Sequence, residues 1–150
     1  MSTALSSPAA VLEAVAQGDL AALRRALEES PLARHLGITF TELEPGRAAA
    51  TLPGGPGLPN FLGYAHTGAL FALAEQVMAA AANSLGYVGL PLSCEMHFLN
   101  AANPAHAVAA RAHVVDTQGR IARVLVELAQ GDLPVARLTE MVFLRSGAKA

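Results

Sequence analysis

The pattern of hydrophobic and polar positions predicts two short helices, two strands, one long apolar helix and four further strands, in that order. Residues 8–16 and 19–29 have the composition of helices, and the second carries apolar side chains at three- and four-residue spacing. Pro8 suits a first helical position and Asp19 suits an N-cap. We interpret both as amphipathic helices docked on the rest of the chain, with a partner-binding helix as the alternative.

Alternation of apolar and polar residues, interrupted by turn signals, predicts the strands. The six segments are 38–44, 47–52, 92–100, 106–117, 121–130 and 135–145. Pro45-Gly46 joins the first two as a hairpin, and the Pro- and Gly-rich segment 53–60 predicts a loop. The apolar face of 121–130 consists of Ala122, Val124, Val126 and Leu128. Strands linked by short turns favour an antiparallel sheet.

The long helix is predicted over residues 66–85, with Gly86 or Gly89 ending it. It is apolar nearly all round, so it has to be covered on most sides. A curved antiparallel sheet wrapped around one central helix meets both demands, and this α+β arrangement is the hotdog fold. We therefore expect a helical extension over residues 1–31 and a hotdog domain over residues 32–150.

Composition narrows the possible functions. Hydrophobic residues make up 53% of the 150 residues and charged residues 15%, which indicates apolar surface covered by a partner subunit. A net charge of −2 argues against a nucleic-acid-binding protein. A single cysteine, Cys94, allows no internal disulfide, and the N-terminus lacks the pattern of a signal peptide. The apolar run at 68–82 is short for a membrane span. We expect a cytoplasmic protein.

Metal chemistry is not indicated. His35, His97, His106 and His113 are scattered, without the spacing of metal ligands, and we expect neither a metal nor a cofactor.

Glu75 is the most informative single residue. It is the only Asp, Glu, Lys or Arg between Arg47 and Glu95, and it lies in the middle of the apolar helix. No cation lies within two helical turns of it, so an ion pair inside the helix is excluded. Burial without a partner raises the pKa of a carboxyl group and costs free energy. We therefore favour a functional role over a solvated or structurally paired acid.

The start of the same helix offers a second chemical group. The first backbone N–H groups of a helix lack internal partners and suit a polarised carbonyl oxygen. Gly68 lets a ligand approach the backbone closely, and it lies seven residues before Glu75 on nearly the same helix face. The two positions are ~10 Å apart along the axis at ~1.5 Å per residue. Two antiparallel helices from a homodimer would bring the start of one helix to Glu75 of the other, forming two shared sites.

The segment around this helix start resembles a known family. The residues that carry the resemblance are Asn60, Gly63, His66, Thr67, Gly68, Ala69, Leu73, Ala74 and Glu75. Their order and spacing resemble the signature of hotdog acyl-CoA thioesterases of the phenylacetate-pathway and 4-hydroxybenzoyl-CoA type. The resemblance covers residues 32–145, through the segment 92–98 to Phe143. It implies hydrolysis of an acyl-CoA thioester by a homodimer, assembled as a dimer of dimers.

The resemblance implies catalytic roles for five residues. Glu75 would act as general base on water or as nucleophile. An N–H group at Thr67 or Gly68 would polarise the thioester carbonyl. Asn60 would help to place water or substrate, and Ser93 would lie beside the carboxylate.

Three further residues are expected at the substrate-binding site. His66 would order the loop before the helix, and Gly63 and Gln76 would contribute to substrate binding. One position departs from the family pattern, because Thr67 stands where the family has Gly. Its side chain would narrow the pocket, change the acyl preference or remove the activity.

Two other functions remain open. Hydratases or dehydratases of the same fold need a His about fourteen residues before the Glu, and Phe61 occupies that position. A non-catalytic acyl-CoA-binding or assembly protein is the alternative that Thr67 keeps open.

Overall fold

Ten elements follow one another along the part of the chain that the computed structural model describes, residues 7–146. The helices are α1 (Pro8–Ala16), α2 (Leu20–Glu29), α3 (Pro31–Leu36) and α4 (Thr67–Asn83). The strands are β1 (Thr39–Glu44), β2 (Arg47–Leu52), β3 (Tyr87–Phe98), β4 (Val108–Gln118), β5 (Ile121–Gln130) and β6 (Leu133–Ser146). All six strands form one antiparallel sheet in the order β1-β2-β4-β5-β6-β3.

The N-terminal helices follow the sequence prediction with one addition. Pro8 begins α1, and the Asp19 side chain caps α2 by accepting a hydrogen bond from Ala22 N at 2.9 Å. Helix α3 was not predicted, because six residues are too few to show a helical period. Its signals are local: Pro31 at its first position and Gly37, at φ +71°, as a left-handed C-cap. The expected boundary between residues 31 and 32 falls inside α3 and stays a prediction.

The sheet agrees with the predicted strands except in β3. This strand begins at Tyr87, five residues before the predicted start, because Gly89 and Pro91 resemble loop residues in the sequence. Strand β3 lies at the edge of the sheet and pairs only with β6, and Pro is tolerated on an edge strand. A register shift between Pro91 and Ser93 marks a bulge there.

Helix α4 lies against the sheet and contacts all six strands, as expected for a curved sheet around one helix. The predicted apolar face of β5 is confirmed, since its four residues are fully buried. The helix ends at Asn83, two residues before the predicted end, and Gly86 follows at φ +83°. None of the helices in the described part of the chain has the length and apolar character needed to cross a bilayer.

One buried hydroxyl group fixes the end of α4 against the β1–β2 turn. Ser84 Oγ accepts a hydrogen bond from Gly46 N at 2.8 Å and donates one to Ala81 O at 2.7 Å. Ser84 is buried, so water does not replace either partner when the hydroxyl group is removed.

We expect Ser84→Ala to lower the free energy of unfolding by about 1–3 kcal/mol, since it leaves the Gly46 N–H group unsatisfied. Urea denaturation followed by circular dichroism measures this change. Ser93→Ala, an exposed site on β3, is the matched control and should change stability by less than about 0.5 kcal/mol. Equal stability of both variants would contradict the role assigned to Ser84.

Candidate active site

The start of α4 is organised by His66. This residue is the N-cap, and its Nδ1 atom accepts a hydrogen bond from Gly68 N at 2.9 Å. A Cβ atom at position 68 would lie 3.0 Å from Nδ1, so the absence of a side chain at Gly68 preserves the cap. The carbonyl of His66 accepts from the N–H groups of Ala69 and Leu70. Among residues 7–146, the Thr67 N–H group has no hydrogen-bond partner, so it is the free donor at the helix start.

Asn60 and Gly63 shape the loop that leads into the helix. Asn60 Oδ1 accepts hydrogen bonds from Leu62 N at 2.9 Å and Tyr64 N at 3.2 Å. Gly63 has φ +83°, a conformation that favours glycine, and donates its N–H to Asn60 O at 3.0 Å. The side-chain oxygen of Asn60 is therefore engaged within the loop, and only its Nδ2 group is left for the predicted contact with water or substrate.

A cleft of about 290 Å³ opens between the helix start and the chain that follows β3. Its lining includes Asn60, Tyr64, Thr67, Leu70 and Phe98. The structure thus brings two of the predicted catalytic residues together around one cleft. Glu75 does not line it, in agreement with the axial distance from the helix start.

Glu75 lies half-buried on α4, and burial raises the pKa of its carboxyl group. Its neighbour Gln76 is also partly buried, and Gln76 Oε1 has no hydrogen-bond partner among the described residues. Glu75 is therefore the single acid of an apolar helix, as the sequence indicates. Because it is half-buried, its ionised form is less hydrated than an exposed carboxylate.

A second acid, Glu140, was not predicted as part of the site. It lies on β6, on the same buried face as Leu138 and Val142, and only 2% of its surface is exposed. Burial, followed by the negative charge of Glu75, raises the pKa of Glu140 to about 7. The sequence did contain a signal, because Glu140 is in phase with the apolar positions of β6.

Cys94, and not Ser93, lies on the helix-facing side of β3. Ser93 pairs with the outward-facing Met141, whereas Cys94 pairs with Glu140. The bulge before Ser93 shifts the strand by one residue, which exchanges the two faces. Ser93 therefore faces away from α4 of its own chain, and its expected position beside the carboxylate stays a prediction. Cys94 is exposed, but the limited desolvation of its thiol, followed by the charges of Glu140 and Glu75, raises the pKa of that thiol, which makes it a poor nucleophile.

A cavity of about 760 Å³ lies at the other end of α4, between the β1–β2 and β4–β5 turns. It is lined by Arg47, Tyr87 and Arg120, among others, and holds none of the predicted site residues. Within residues 7–146, no group of three or more His, Cys, Asp or Glu side chains is arranged to hold a metal ion. The chemistry of the described residues is thus concentrated at the start and middle of α4.

Comparisons with known proteins identify related chains. Residues 62–136 match the model of a family described as the thioesterase superfamily. A mutant of the phenylacetic acid degradation protein PaaI from Thermus thermophilus is 32% identical, with a TM-score of 0.73, covering 77% of this chain and 99% of that one. None of the curated proteins compared matches the chain.

Two more distant structures share the fold. The PaaI protein of the E. coli phenylacetic acid degradation operon is 23% identical, with a TM-score of 0.78, covering 91% of this chain and 97% of that one. The protein smu.793 from Streptococcus mutans UA159, solved bound to acetyl CoA, is 20% identical, with a TM-score of 0.70, covering 75% of this chain and 91% of that one. The expected hotdog fold is confirmed.

The raised pKa of Glu140 predicts that the free energy of unfolding decreases as the pH rises. The unfolded carboxyl group loses its proton near 4.5 and the folded one near 7, so unfolding releases a proton between these values. We expect Glu140→Gln to raise the free energy of unfolding by about 3 kcal/mol at about pH 8 and to have no effect below about pH 4.

Chemical denaturation of both proteins across this pH range measures the difference. Glu44→Gln, at an exposed position on β1, is the matched control and should show no such trend. A pH-independent difference for Glu140→Gln would contradict the raised pKa.

Proposed function

The chain belongs to the thioesterase superfamily, and on this basis we propose that it hydrolyses an acyl-CoA thioester to the free acid and CoA. The observation that carries this proposal is the half-buried Glu75 carboxyl group, placed two helical turns beyond a free N–H group on one helix. A carbonyl-polarising donor and one base are the two elements that thioester hydrolysis requires.

The proposed reaction uses these groups as follows. The N–H group of Thr67 polarises the thioester carbonyl, while Glu75 takes a proton from the attacking water. The water oxygen bonds to the carbonyl carbon, the C–S bond breaks, and Glu75 returns the proton to the departing thiolate. Alternatively, the Glu75 carboxylate attacks the carbonyl carbon, the C–S bond breaks and the thiolate leaves. Water then hydrolyses the resulting anhydride, which frees the acid and restores Glu75, and the proton released from water passes to the thiolate. A thiol with a pKa of ~8.5 leaves readily, so no strong general acid is needed.

We further propose that each site is shared by two copies of the chain. The cleft at Thr67 lacks Glu75 of its own chain, because the two positions are ~12 Å apart along α4. An antiparallel pair of α4 helices related by a two-fold axis supplies Glu75 from the partner at both sites.

The exposed edge of the sheet supports this assembly. Within the described residues, strand β3 has no neighbour on its outer edge, and it presents the exposed apolar residues Leu90, Leu92 and Phe98. Unpaired strand edges and apolar surface of this kind are normally covered by a partner. The loop before α4 exposes Phe61 by 94%, together with Leu62, and we assign this second apolar surface to the contact between dimers.

The substrate class and compartment follow from related observations. The fold-sharing Streptococcus mutans protein was solved with acetyl CoA, which supports an acyl-CoA ester as substrate. The chain has one cysteine and so needs no internal disulfide, which supports action in the cytoplasm.

A non-catalytic acyl-CoA binder is the second candidate, and Thr67 favours it. The Thr67 side chain lines the cleft where the family pattern has no side chain, and the Gly68 N–H group is occupied by the His66 cap. A hydratase is disfavoured, since the position that would hold its His is Phe61 on the exposed loop.

We expect Glu75→Gln to lower kcat by about 10²–10⁴-fold, because the base is lost, while KM changes little. Release of free thiol from a panel of acyl-CoA esters measures both constants. Glu95→Gln, an exposed acid on β3, is the matched control and should retain the wild-type kcat. Turnover unaffected by Glu75→Gln would refute the site, and binding of esters without turnover by the wild type would identify the non-catalytic binder.

The shared site predicts complementation between two inactive variants. Thr67 is the first residue of α4, where Pro is tolerated, so Thr67→Pro removes the free N–H group with little cost to the helix. We expect Thr67→Pro and Glu75→Gln each to be inactive alone. After unfolding and refolding together in equal amounts, half of the dimers are mixed and each has one intact site. The mixture should regain about a quarter of the wild-type activity.

Refolding each variant separately before mixing is the control for this experiment. A co-refolded mixture that is no more active than the separate variants would show that both groups act within one chain.

A further inference from the structure

Glu140 is a buried carboxyl group that the proposed hydrolysis does not use. It lies on the helix-facing side of β6, a strand that α4 contacts, and it is near enough to Glu75 on α4 for the charge of Glu75 to act on it. Its Oε2 atom has no hydrogen-bond partner among residues 7–146. A buried oxygen without a partner costs free energy, so its retention needs a physical reason.

Among residues 7–146, the groups identified around Glu140 contain no opposing charge. The charge of Glu75 on α4 acts on it, its partner on β3 is Cys94, and its partner on β5 is the apolar Val124. Within the described residues, no Arg, Lys or His forms an ion pair with Glu140. The cluster therefore contains two carboxyl groups and a thiol, and nothing there balances a second negative charge.

Two neighbouring carboxyl groups in a poorly hydrated site share one proton, because ionising both places like charges side by side. Glu75 is half-buried, whereas Glu140 is almost wholly buried, so the negative charge is better hydrated on Glu75. The proton then resides on Glu140. Its Oε2 atom forms no hydrogen bond within residues 7–146, so it is available to donate that proton to the Glu75 carboxylate.

We propose that Glu140 is a positioning residue that holds one proton beside Glu75 and must be uncharged for turnover. The hydrogen bond keeps Glu75 ionised and fixes the direction of its carboxylate. The Glu140 proton is not consumed, since Glu75 takes a proton from water and returns it to the thiolate. This inference rests on the proposed function, because it assigns Glu75 as the base.

A pH dependence follows from this arrangement. The pKa of Glu140 is raised to about 7, so the group ionises just above neutral pH. The second negative charge then repels the Glu75 carboxylate and opposes the negative charge that develops on the carbonyl oxygen. With a single ionisation near pH 7, kcat/KM falls by about thirtyfold between pH 6 and pH 8.5.

The test is the pH profile of kcat/KM for the wild type and Glu140→Gln, with an acyl-CoA ester as substrate and thiol release as readout. The wild type should show the alkaline fall. Glu140→Gln has the shape of the protonated acid but does not ionise, so its kcat/KM should change by less than about twofold over the same range. A wild type without the fall, or a variant that keeps it, would overturn the proposal.

Two further variants separate the ionisation of Glu140 from that of the neighbouring thiol and from a loss of packing. Cys94→Ser should keep the decrease in kcat/KM at alkaline pH. If this variant lacks the decrease, the thiol is the ionising group and the proposal is overturned. Glu140→Met fills a similar volume without a donor or an ionisable group. It should lose the alkaline fall and lower kcat by about tenfold with little change in KM. If Glu140→Gln does not fold, the pH profile of kcat/KM for Glu140→Met is sufficient to test the proposal.

The failure of this proposal is distinguishable from failure of the proposed function. An inactive Glu75→Gln together with a Glu140→Gln that keeps the alkaline fall would leave the hydrolysis standing and remove only the role of Glu140. An active Glu75→Gln would refute the assignment of the base, whatever the profile of the Glu140 variants.

Discussion

The close packing of α4 against the sheet is the constraint on which the other features depend. The helix contacts every strand, and its buried face includes the fully buried alanines Ala74, Ala80, Ala81 and Ala82. Small side chains let the strands approach the helix closely. At Gly89 of β3, a Cβ atom would lie 3.0 Å from a side-chain carbon of Val142 and 3.1 Å from Ala82, so even a methyl group would crowd this contact. The helix is thus fixed in position and rotation.

This fixed helix determines the electrostatics of the candidate site. A half-buried carboxyl group on α4 and a buried one on β6 are held where neither can move far into solvent. Burial disfavours the charged form of both, and the negative charge of Glu75 further raises the pKa of Glu140. The pair of carboxyl groups therefore carries one negative charge more easily than two.

Because α4 is held rigidly, the candidate functional groups at its start stay separated from the carboxyl group in its middle. Thr67 and Asn60 share a cleft of about 290 Å³, while Glu75 lies outside it. The larger cavity at the opposite end of α4 contains none of these groups. Under the proposal of a shared site, this small open cleft beside the exposed strand edge is one half of that site. The size of a cavity in a single chain is then a poor guide to the position of the site.

The sequence alone determined the order of elements, the central helix, the alternation of β5 and the isolation of Glu75, because each depends on local periodicity or spacing. The structure agreed with the helix to within two residues at its end. Local patterns also put Thr67 at the first turn of the helix, where an N–H group lacks an internal partner. The short helix α3 was not predicted, because six residues are too few to show a helical period. The early start of β3 was not predicted either, because Gly and Pro are tolerated at a sheet edge although they resemble loop residues in the sequence.

Only the tertiary structure decided which side chains meet Glu75. The bulge after Pro91 exchanges the faces of Ser93 and Cys94, and a one-residue shift of this kind is not encoded in alternation. The pairing of β3 with β6 then aligns Cys94 with Glu140, forty-six positions further along the chain. The His66 cap likewise decides which N–H group is free. Sequence periodicity fixes which face a residue occupies, but contacts between distant strands and one helix depend on register and packing, which arise only when the chain is folded.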